Sequence, residues 1–267
     1  VVAIFAQDQT GEAHLRVNGS GAYGFTIEAG PQRDGGTDGD AGGDLGTAKK
    51  AEYGIIDGII GGEDLEDYFA LALPLDAVVS AEITAAPDFF GSARVELIHN
   101  GNVLVYTNLG ASQTVTWTYA MVNNPDDSLY VRVASATGAY SASLAAVTQP
   151  DGGDGGGDAP EEESLAKEVT PAGSFDGILN GARQFDTRDW YQFTAVETAT
   201  FNIELALDPT ADSAIRMLIY DDGKQLVADV NVGPGGSDTA SIEVIADTTY
   251  TIQLGTGGQA AYTVTFG

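Results

Sequence analysis

The chain contains one series of strand-like segments twice, and this repetition constrains its fold more than any other feature. In both copies, the pattern Asp-x-x-Asp-aromatic-aromatic-x-apolar is followed by a segment with a hairpin glycine near its end. Apolar and polar side chains alternate along these segments, as they do in strands with one buried face. The matched pairs are DLEDYFAL (64–71) with DTRDWYQF (186–193), IDGII (56–60) with FDGIL (175–179), and VELIHNGNVL (95–104) with RMLIYDDGKQL (216–226). The sequence therefore predicts an all-β protein built from tandem β-sandwich modules.

A closing segment is present three times, at 13–27, 129–144 and 250–266. We interpret each copy as a terminal hairpin. Two strands bury too little surface to fold alone, so the first copy needs a partner. It belongs to a truncated array, or it completes a sheet in another subunit by strand addition. The predicted organisation is a closing hairpin of a preceding or shared module at 1–30, followed by complete modules at 31–148 and 149–267.

Two short segments have the composition of tight hairpin loops. They are HNGN at 99–102 and DDGK at 221–224. Asn, Asp and Gly are the residues that accept the positive φ angles of two-residue hairpin turns. Each predicts a turn between two antiparallel strands. The sequon Asn-Gly-Ser, which begins at Asn18, also lies on a predicted turn and is a candidate glycosylation site.

Charge and composition exclude several classes of partner. The net charge is −28, from 39 acidic and 11 basic residues, and the chain has no cysteine. Such a surface repels nucleic acid and anionic lipid, and it favours cations. No apolar run approaches the roughly 18 residues of a spanning helix, so we expect no membrane insertion. Without an initiator Met or a basic-then-apolar leader, Val1 is expected to be a processed end or the edge of a fragment.

Acidic side chains are concentrated in two glycine-rich stretches, one directly before each predicted module. The stretches DGGTDGDAGGD (34–44) and DGGDGGGDAPEEE (151–163) hold 10 of the 39 acidic residues and 10 of the 35 glycines. Calcium takes six to eight oxygen ligands, and glycines let a loop fold around an ion. The alternative is a self-repelling disordered linker, or, for the whole chain, an acidic coat adapted to brine. For Asp67 and Asp189 the alternative is a cap on the first strand residue.

The order of these elements resembles the bacterial and archaeal pre-peptidase C-terminal domain, a β-sandwich of secreted and surface proteins. The resemblance rests on the acidic entry segment, the Gly-x-[Ile/Leu] strand, the Asp-x-x-Asp-aromatic strand, the LIYDDG-like hairpin and the closing YVRV…GAY segment. In collagen-binding members, the entry segment and the Asp pair chelate calcium jointly. The entry segments here, DAGGD (40–44) and DAPEE (158–162), depart from the usual Glu-Pro-Asn-Asp. The resemblance implies a first calcium site of Asp38, Asp40, Asp44, Asp64 and Asp67, and a second of Asp158, Glu161, Glu163, Asp186 and Asp189.

Residues that resemble catalytic motifs have a structural interpretation. The match of GSGAYG (19–24) to a dinucleotide loop continues into a strand pattern, whereas a dinucleotide site needs a following helix. The two histidines, His14 and His99, lack the context of a serine triad or a zinc hydrolase. The aromatics Tyr68, Trp190 and Tyr191 are core residues or a ligand platform. We therefore expect a non-enzymatic protein.

The combined expectation is a calcium-stabilised structural or adhesive array of a secreted or cell-surface protein. Its expected partners are other copies of itself or neighbouring modules of a longer chain, as in a filament, sheath or surface layer. The alternative function is a polymer-binding C-terminal appendage of a secreted peptidase or other hydrolase. A row of exposed aromatic side chains on one sheet would favour that alternative, whereas strand exchange between chains would favour the structural function.

Overall fold

The computed structural model describes residues 32, 34–36, 39–62, 64–121, 127–153, 157–181 and 186–267, with the isolated residues 16, 18, 20–22 and 24. In these residues the regular structure is almost entirely β-strand, with three single 3₁₀ turns and no α-helix. The prediction of an all-β fold is confirmed. Most of residues 1–30, with the predicted partial hairpin, lies outside the described residues.

Seventeen strands follow one another along the described chain. The first eight are β1 (Lys49–Ala51), β2 (Gly54–Ile60), β3 (Glu66–Ala72), β4 (Ala77–Ala85), β5 (Phe90–His99), β6 (Asn102–Leu109), β7 (Thr114–Met121) and β8 (Ser128–Thr148). The other nine are β9 (Lys167–Glu168), β10 (Gly173–Asn180), β11 (Arg188–Thr194), β12 (Ala199–Leu207), β13 (Ile215–Tyr220), β14 (Leu226–Val232), β15 (Ser237–Val244), β16 (Thr249–Thr256) and β17 (Gln259–Phe266).

The chain divides into two compact units. The first unit extends to Ala72 and includes Ala81–Trp117 and Asp127–Ala145. The second unit includes Leu73–Ser80, residues 118–121 and Ala146–Gly267. The predicted module boundaries at 30/31 and 148/149 stay predictions.

The long strand β8 organises the sheets of its part of the chain. Its first half pairs with β3 and β5, whereas its second half pairs with β2. Strand β4 lies beside β8 and β7, and β6 extends the other side by pairing with β5. Ser135 and Gly138, with φ angles of 69° and 143°, lie between the two halves of β8. One continuous strand therefore contributes to both layers.

In the second unit, two separate strands, β16 and β17, take the places of the two halves of β8. One sheet has the order β10-β17-β12-β15, and the other has the order β14-β13-β16-β11-β9. A single apolar core includes inward side chains from both sheets, among them Tyr191, Ile203 and Val264. Strand β17 illustrates the cause, since every second residue from Ala260 to Phe266 is buried. This alternation is that of a β-sandwich layer.

The prediction that the closing segment is a hairpin is wrong for both described copies. Strands β16 and β17 belong to different sheets, and in the first unit the same segment is one strand. Its alternating pattern is correct, but its two halves face each other across the core. The turn at HNGN is confirmed, since Asn100 and Gly101 have φ angles of 48° and 76°. In DDGK the positive φ of 61° falls on Lys224.

Candidate metal centre

The first entry segment begins with a tight turn that fixes an aspartate onto strand β2. Asp34–Gly36 form one 3₁₀ turn, in which Gly35 has a φ of 65°. A Cβ at Gly35 would also lie 3.1 Å from the Phe69 ring, so this position favours glycine in two ways. Asp34 is buried, and its Oδ1 accepts a hydrogen bond of 2.9 Å from the Ile59 amide. The turn therefore holds one carboxylate against the sheet.

The second entry segment repeats this arrangement. Asp151–Gly153 form the equivalent turn, with a φ of 73° at Gly152. A Cβ at Gly152 would lie 3.3 Å from the Tyr191 ring. Asp151 is fully buried and accepts a hydrogen bond of 2.8 Å from the Ile178 amide on β10. Two segments of different sequence thus place an aspartate on equivalent strands.

The Asp-x-x-Asp pair brings two further carboxylates to each turn. In the first unit Asp64 and Asp67 are 4% and 0% exposed, and Asp67 is the first inward residue of β3. The Tyr140 hydroxyl donates to Asp67 Oδ2 at 2.5 Å. A Cβ at Gly58 would lie 2.2 Å from that hydroxyl oxygen. Gly58, the glycine of the Gly-x-[Ile/Leu] strand, therefore leaves the room that the Tyr140 hydroxyl needs to reach Asp67.

In the second unit the same three residue types recur. The Tyr262 hydroxyl donates to Asp189 Oδ2 and also bonds the Tyr191 hydroxyl, at 2.6 Å. A Cβ at Gly177 would lie 2.1 Å from the Tyr262 hydroxyl oxygen. Of the aromatics considered above, Tyr191 is a core residue with no exposed surface. Asp189 is thus held from one side by a buried tyrosine pair.

The first cluster consists of four aspartates: Asp34, Asp40, Asp64 and Asp67. Each offers one carboxylate oxygen, and these four oxygens lie within 4.8 Å of one another. Gln32 joins them through its amide nitrogen, which lies 2.6 Å from both Asp34 Oδ2 and Asp64 Oδ2. Asp67 Oδ1 is buried and has no hydrogen-bond partner among the described residues.

The second cluster consists of Asp151, Asp158 and Asp189, again with one oxygen each within 4.8 Å. Asp186, at the start of the same Asp-x-x-Asp pair, is fully buried, and neither of its oxygens has a partner among the described residues. Asp158 Oδ1 and Asp189 Oδ1 are unpartnered in the same way. In the part of the chain that the structure describes, four buried carboxylate oxygens in and beside the second cluster therefore lack a hydrogen-bond donor.

Burial and mutual repulsion shift the protonation of the first cluster. Burial raises the pKa of Asp67 to about 9, and the neighbouring carboxylates of Asp34 and Asp64 add to the shift. Burial likewise raises the pKa of Asp64 to about 7, against the hydrogen bond from Gln32. The pKa of Asp34 is also raised, chiefly by burial. The positive charge of Lys49 opposes the shift at Asp34, but it is the smallest of the causes there, so these carboxyls still resist ionisation together.

The second cluster behaves in the same way. Burial raises the pKa of Asp158 to about 8 and that of Asp151 to about 6, although the Ile178 amide opposes the shift at Asp151. The pKa values of Asp186 and Asp189 are raised well above their usual range, first by burial and then by neighbouring carboxylates. The group that would reverse these shifts is a cation.

These donors fit a hard divalent cation. All are oxygens, most are buried, and several have no partner in the described part of the chain. Unpaired buried carboxylates are costly, and native proteins satisfy them by pairing or by metal coordination. Calcium accepts carboxylate and carbonyl oxygens in irregular geometry. Asp34, Asp40, Asp64 and Asp67 would hold one ion, and Asp151, Asp158 and Asp189 another, with the buried Asp186 adding negative charge beside them.

The clusters contain some of the predicted ligands and leave others aside. Asp38 lies outside the described residues. Asp44 is exposed and caps a turn, since its Oδ1 accepts from the amides of Gly46 and Thr47, which lowers its pKa. Glu163 pairs instead with Lys224. These last two side chains are used elsewhere and do not join the other acids.

Glu161 has an intermediate position. Its carboxylate accepts from the amide of Thr187, at 2.5 Å, and from that residue's hydroxyl, at 2.8 Å. It thereby holds the loop between the aspartates of the second pair. Its charge still contributes to the raised pKa of Asp158 and Asp186. Glu161 therefore affects the second cluster by fixing this loop and by adding negative charge near Asp158 and Asp186.

Sequence reasoning missed the aspartate that opens each segment, Asp34 and Asp151. It also missed the glutamines two residues earlier, Gln32 and Gln149. The signal was present as the repeated motif Gln-x-Asp-Gly-Gly, at 32–36 and 149–153. Only the fold reveals that this motif is the buried end of each segment.

The outer face of one sheet differs between the units. In the first, Arg132 lies between Glu66 and the buried Glu96, at 3.0 and 2.6 Å. In the second, Gln253 takes the place of Arg132 and lines an open cavity of about 710 Å³. Arg188 and Arg216 also line this cavity, and its lining includes no acidic residue. The equivalent face thus carries a filled ion network in one unit and a recess with basic side chains in the other.

Comparisons with known proteins give only distant likenesses. No family model matches the sequence, and no curated protein does. Among solved structures, the pre-peptidase C-terminal domain of a Bacillus anthracis collagenase is 15% identical, with a TM-score of 0.32, over 41% of this chain and 99% of that domain. The tandem CBM22 domains of Paenibacillus barcinonensis Xyn10C are 12% identical, with a TM-score of 0.25, over 74% of this chain and 82% of theirs.

A third similar structure contains the M60 catalytic domain and two CBM51 domains of Clostridium perfringens ZmpB. It is 7% identical over 80% of this chain and 34% of that chain, with a TM-score of 0.25. At these identities and TM-scores the likenesses do not bear on the function of this chain. The described residues include no helix that is long and apolar enough to cross a membrane. Membership of the pre-peptidase C-terminal family stays a prediction.

Proposed function

We propose that this chain is a non-enzymatic, calcium-stabilised array of β-sandwich modules that acts as a structural or adhesive unit at a cell surface or outside the cell. The observation that carries the proposal is the recurrence of one buried acidic cluster in each unit. Both clusters join an entry turn to an Asp-x-x-Asp pair, and both contain carboxylate oxygens without a donor among the described residues. Such a pattern costs stability unless a cation binds it.

Calcium would tie each entry segment to the strand that carries the Asp-x-x-Asp pair of its own unit, β3 in the first and β11 in the second. In the metal-free chain, the carboxylates of the turn and of the strand repel one another. A bound divalent ion converts that repulsion into attraction, so the segment becomes part of the fold. This is a mechanical role, and it suits a module that transmits load along a filament, sheath or surface layer. Copies of the chain or neighbouring modules would be its partners.

The test is the unfolding of metal-depleted protein at low salt, with and without calcium. A ligand that binds only the folded state stabilises it by about 2.7 kcal/mol at a hundredfold excess over its dissociation constant. We expect calcium to raise the unfolding midpoint and calorimetric titration to give two ions per chain. Magnesium is expected to give a smaller rise, because it requires a tighter octahedral shell. An unchanged midpoint with calcium would refute the proposal.

A second candidate function is the polymer-binding appendage of a secreted hydrolase. The recess beside Arg188, Arg216 and Gln253 favours it, since basic side chains are scarce in a chain of net charge −28, and Arg188 is the basic residue to test because Arg216 is paired with Asp229. The lining contains no aromatic residue, so an anionic polymer fits it better than one held by ring stacking. Retention on an immobilised acidic polysaccharide, lost in Arg188→Ala, would support this function. Equal retention of both proteins would argue against it.

A further inference from the structure

The amide nitrogen of Gln32 has the surroundings of a cation. It lies 2.6 Å from Asp34 Oδ2, 2.6 Å from Asp64 Oδ2 and 3.4 Å from Asp40 Oδ1. The Ile59 carbonyl oxygen completes the group at 3.2 Å. A side-chain amide has two hydrogens to donate, so four oxygen neighbours exceed what it can satisfy. Three carboxylates and a carbonyl around one point are the ligand set of a hard metal ion.

The other end of the same amide is unsatisfied. Gln32 Oε1 is buried and has no hydrogen-bond partner among the described residues. Turning the amide over would place this oxygen among the carboxylates, where only a positive charge between them could hold it. The side chain therefore has two opposite uses, as a donor without an ion and as an oxygen ligand with one.

We propose that Gln32 is a built-in placeholder for the cation of the first cluster: its amide nitrogen holds the carboxylates in the metal-free chain, and a divalent cation displaces it. This rests on the proposed calcium binding and adds a regulation to it. Ion entry at the first cluster must break the hydrogen bonds of Gln32, so the placeholder lowers the affinity of that site. It also keeps the metal-free segment folded.

The second unit carries the same glutamine without this engagement. Gln149 stands two residues before Asp151, as Gln32 stands before Asp34. Gln149 is fully buried, and neither its Oε1 nor its Nε2 has a partner among the described residues. Among the described residues no side-chain amide has to be displaced there, since the donor to Asp151 Oδ2 is the Ala159 backbone amide, at 3.3 Å, so we expect the second cluster to bind first. Calcium titration is therefore expected to resolve a tight and a weaker step, the weaker belonging to the first cluster.

The variant that isolates this role is Gln32→Glu, which keeps the size of the side chain, removes the donor and adds a ligand oxygen with charge. We expect its metal-free unfolding midpoint to fall and the affinity of the weaker calcium step to rise by about tenfold, because ligand charge sets affinity at such sites. The matched control is Gln113→Glu, on an exposed turn of the same unit, where the Gln113 oxygen accepts from the Gly110 amide. Its calcium affinity should match that of the unchanged chain within about twofold.

A second measurement uses the unchanged protein, so that it does not depend on the folding of a variant. The side-chain amide protons of Gln32, followed by NMR, should leave their hydrogen-bonded positions as the weaker site fills. If calcium binds while those resonances stay unchanged, or if Gln32→Glu lowers the midpoint equally with and without calcium at unchanged affinity, the placeholder role is wrong. If the unchanged chain binds no calcium at all, the proposed function itself fails.

Discussion

Raising the pH of the metal-depleted protein from 5 to 7 is expected to destabilise it, in contrast to the usual behaviour of salt-bridged carboxylates. Asp67 shows why. Its pKa is about 9 in the folded chain, against 3.8 for an ordinary aspartate. Between these two values the folded chain keeps a proton that the unfolded chain has released. The stabilisation from this group is complete below about pH 4 and is lost as the pH rises towards 9.

The magnitude follows from that linkage. One such carboxyl lowers the free energy of unfolding by about 1.4 kcal/mol per pH unit inside its window, hence by about 3 kcal/mol from pH 5 to pH 7. That is a large share of the 5–15 kcal/mol typical of a folded domain. The other raised carboxyls act in the same direction. Saturating calcium should reverse the trend, because the ion binds the ionised form.

Urea unfolding at pH 5, 6 and 7, in metal-depleted buffer and in excess calcium, measures both slopes. The control is Asp67→Asn, which keeps the shape of the side chain and removes the titration. Its metal-depleted stability should fall less steeply with pH, by about 1.4 kcal/mol per unit. If the metal-depleted protein became more stable from pH 5 to pH 7, the assignment of Asp67 as a protonated buried carboxyl would be refuted.

Three substitutions, two of them with a matched control, test the packing around the site, a buried ion pair and the membership of the metal site. Gly177→Ala places a Cβ 2.1 Å from a buried tyrosine hydroxyl and should cost about 2–4 kcal/mol in urea unfolding, whereas Gly233→Ala, with nothing within 4 Å, should cost under about 1 kcal/mol. Arg132→Ala leaves a buried glutamate with one partner fewer and should cost about 2–3 kcal/mol, whereas Arg216→Ala, at an exposed ion pair, should leave the unfolding midpoint nearly unchanged. Glu163→Gln should leave both calcium affinities unchanged by calorimetry, since this carboxylate pairs with a lysine; a tenfold loss would place it among the ligands.

The strands were predictable because their periodicity is local. Alternation in segments such as 68–73 and 201–207 fixes which side chains are buried, whatever the topology. The closing segment shows where this fails. Periodicity is the same for a hairpin and for a strand that passes from one sheet to the other, so the sequence alone left β16 and β17 wrongly paired.

The candidate site was predictable in part for a similar reason. Asp64, Asp67, Asp186 and Asp189 stand out because the motif recurs at the start of a strand. Asp34 and Asp151 were harder to identify, because their burial depends on a strand 25 or more residues later, whose backbone amides donate hydrogen bonds to their carboxylates. Asp44 looked equivalent to the true cluster members in sequence, and only its turn contacts separate it from them.

The undivided strand β8 has a consequence for how the first unit opens. Its two halves belong to different layers, so peeling either layer pulls on the same 21-residue segment. In the second unit the corresponding halves meet at Gly257 and Gly258, outside any strand. Amide hydrogen exchange should therefore find the two layers of the first unit releasing their protons in concert, and those of the second unit doing so at separate rates.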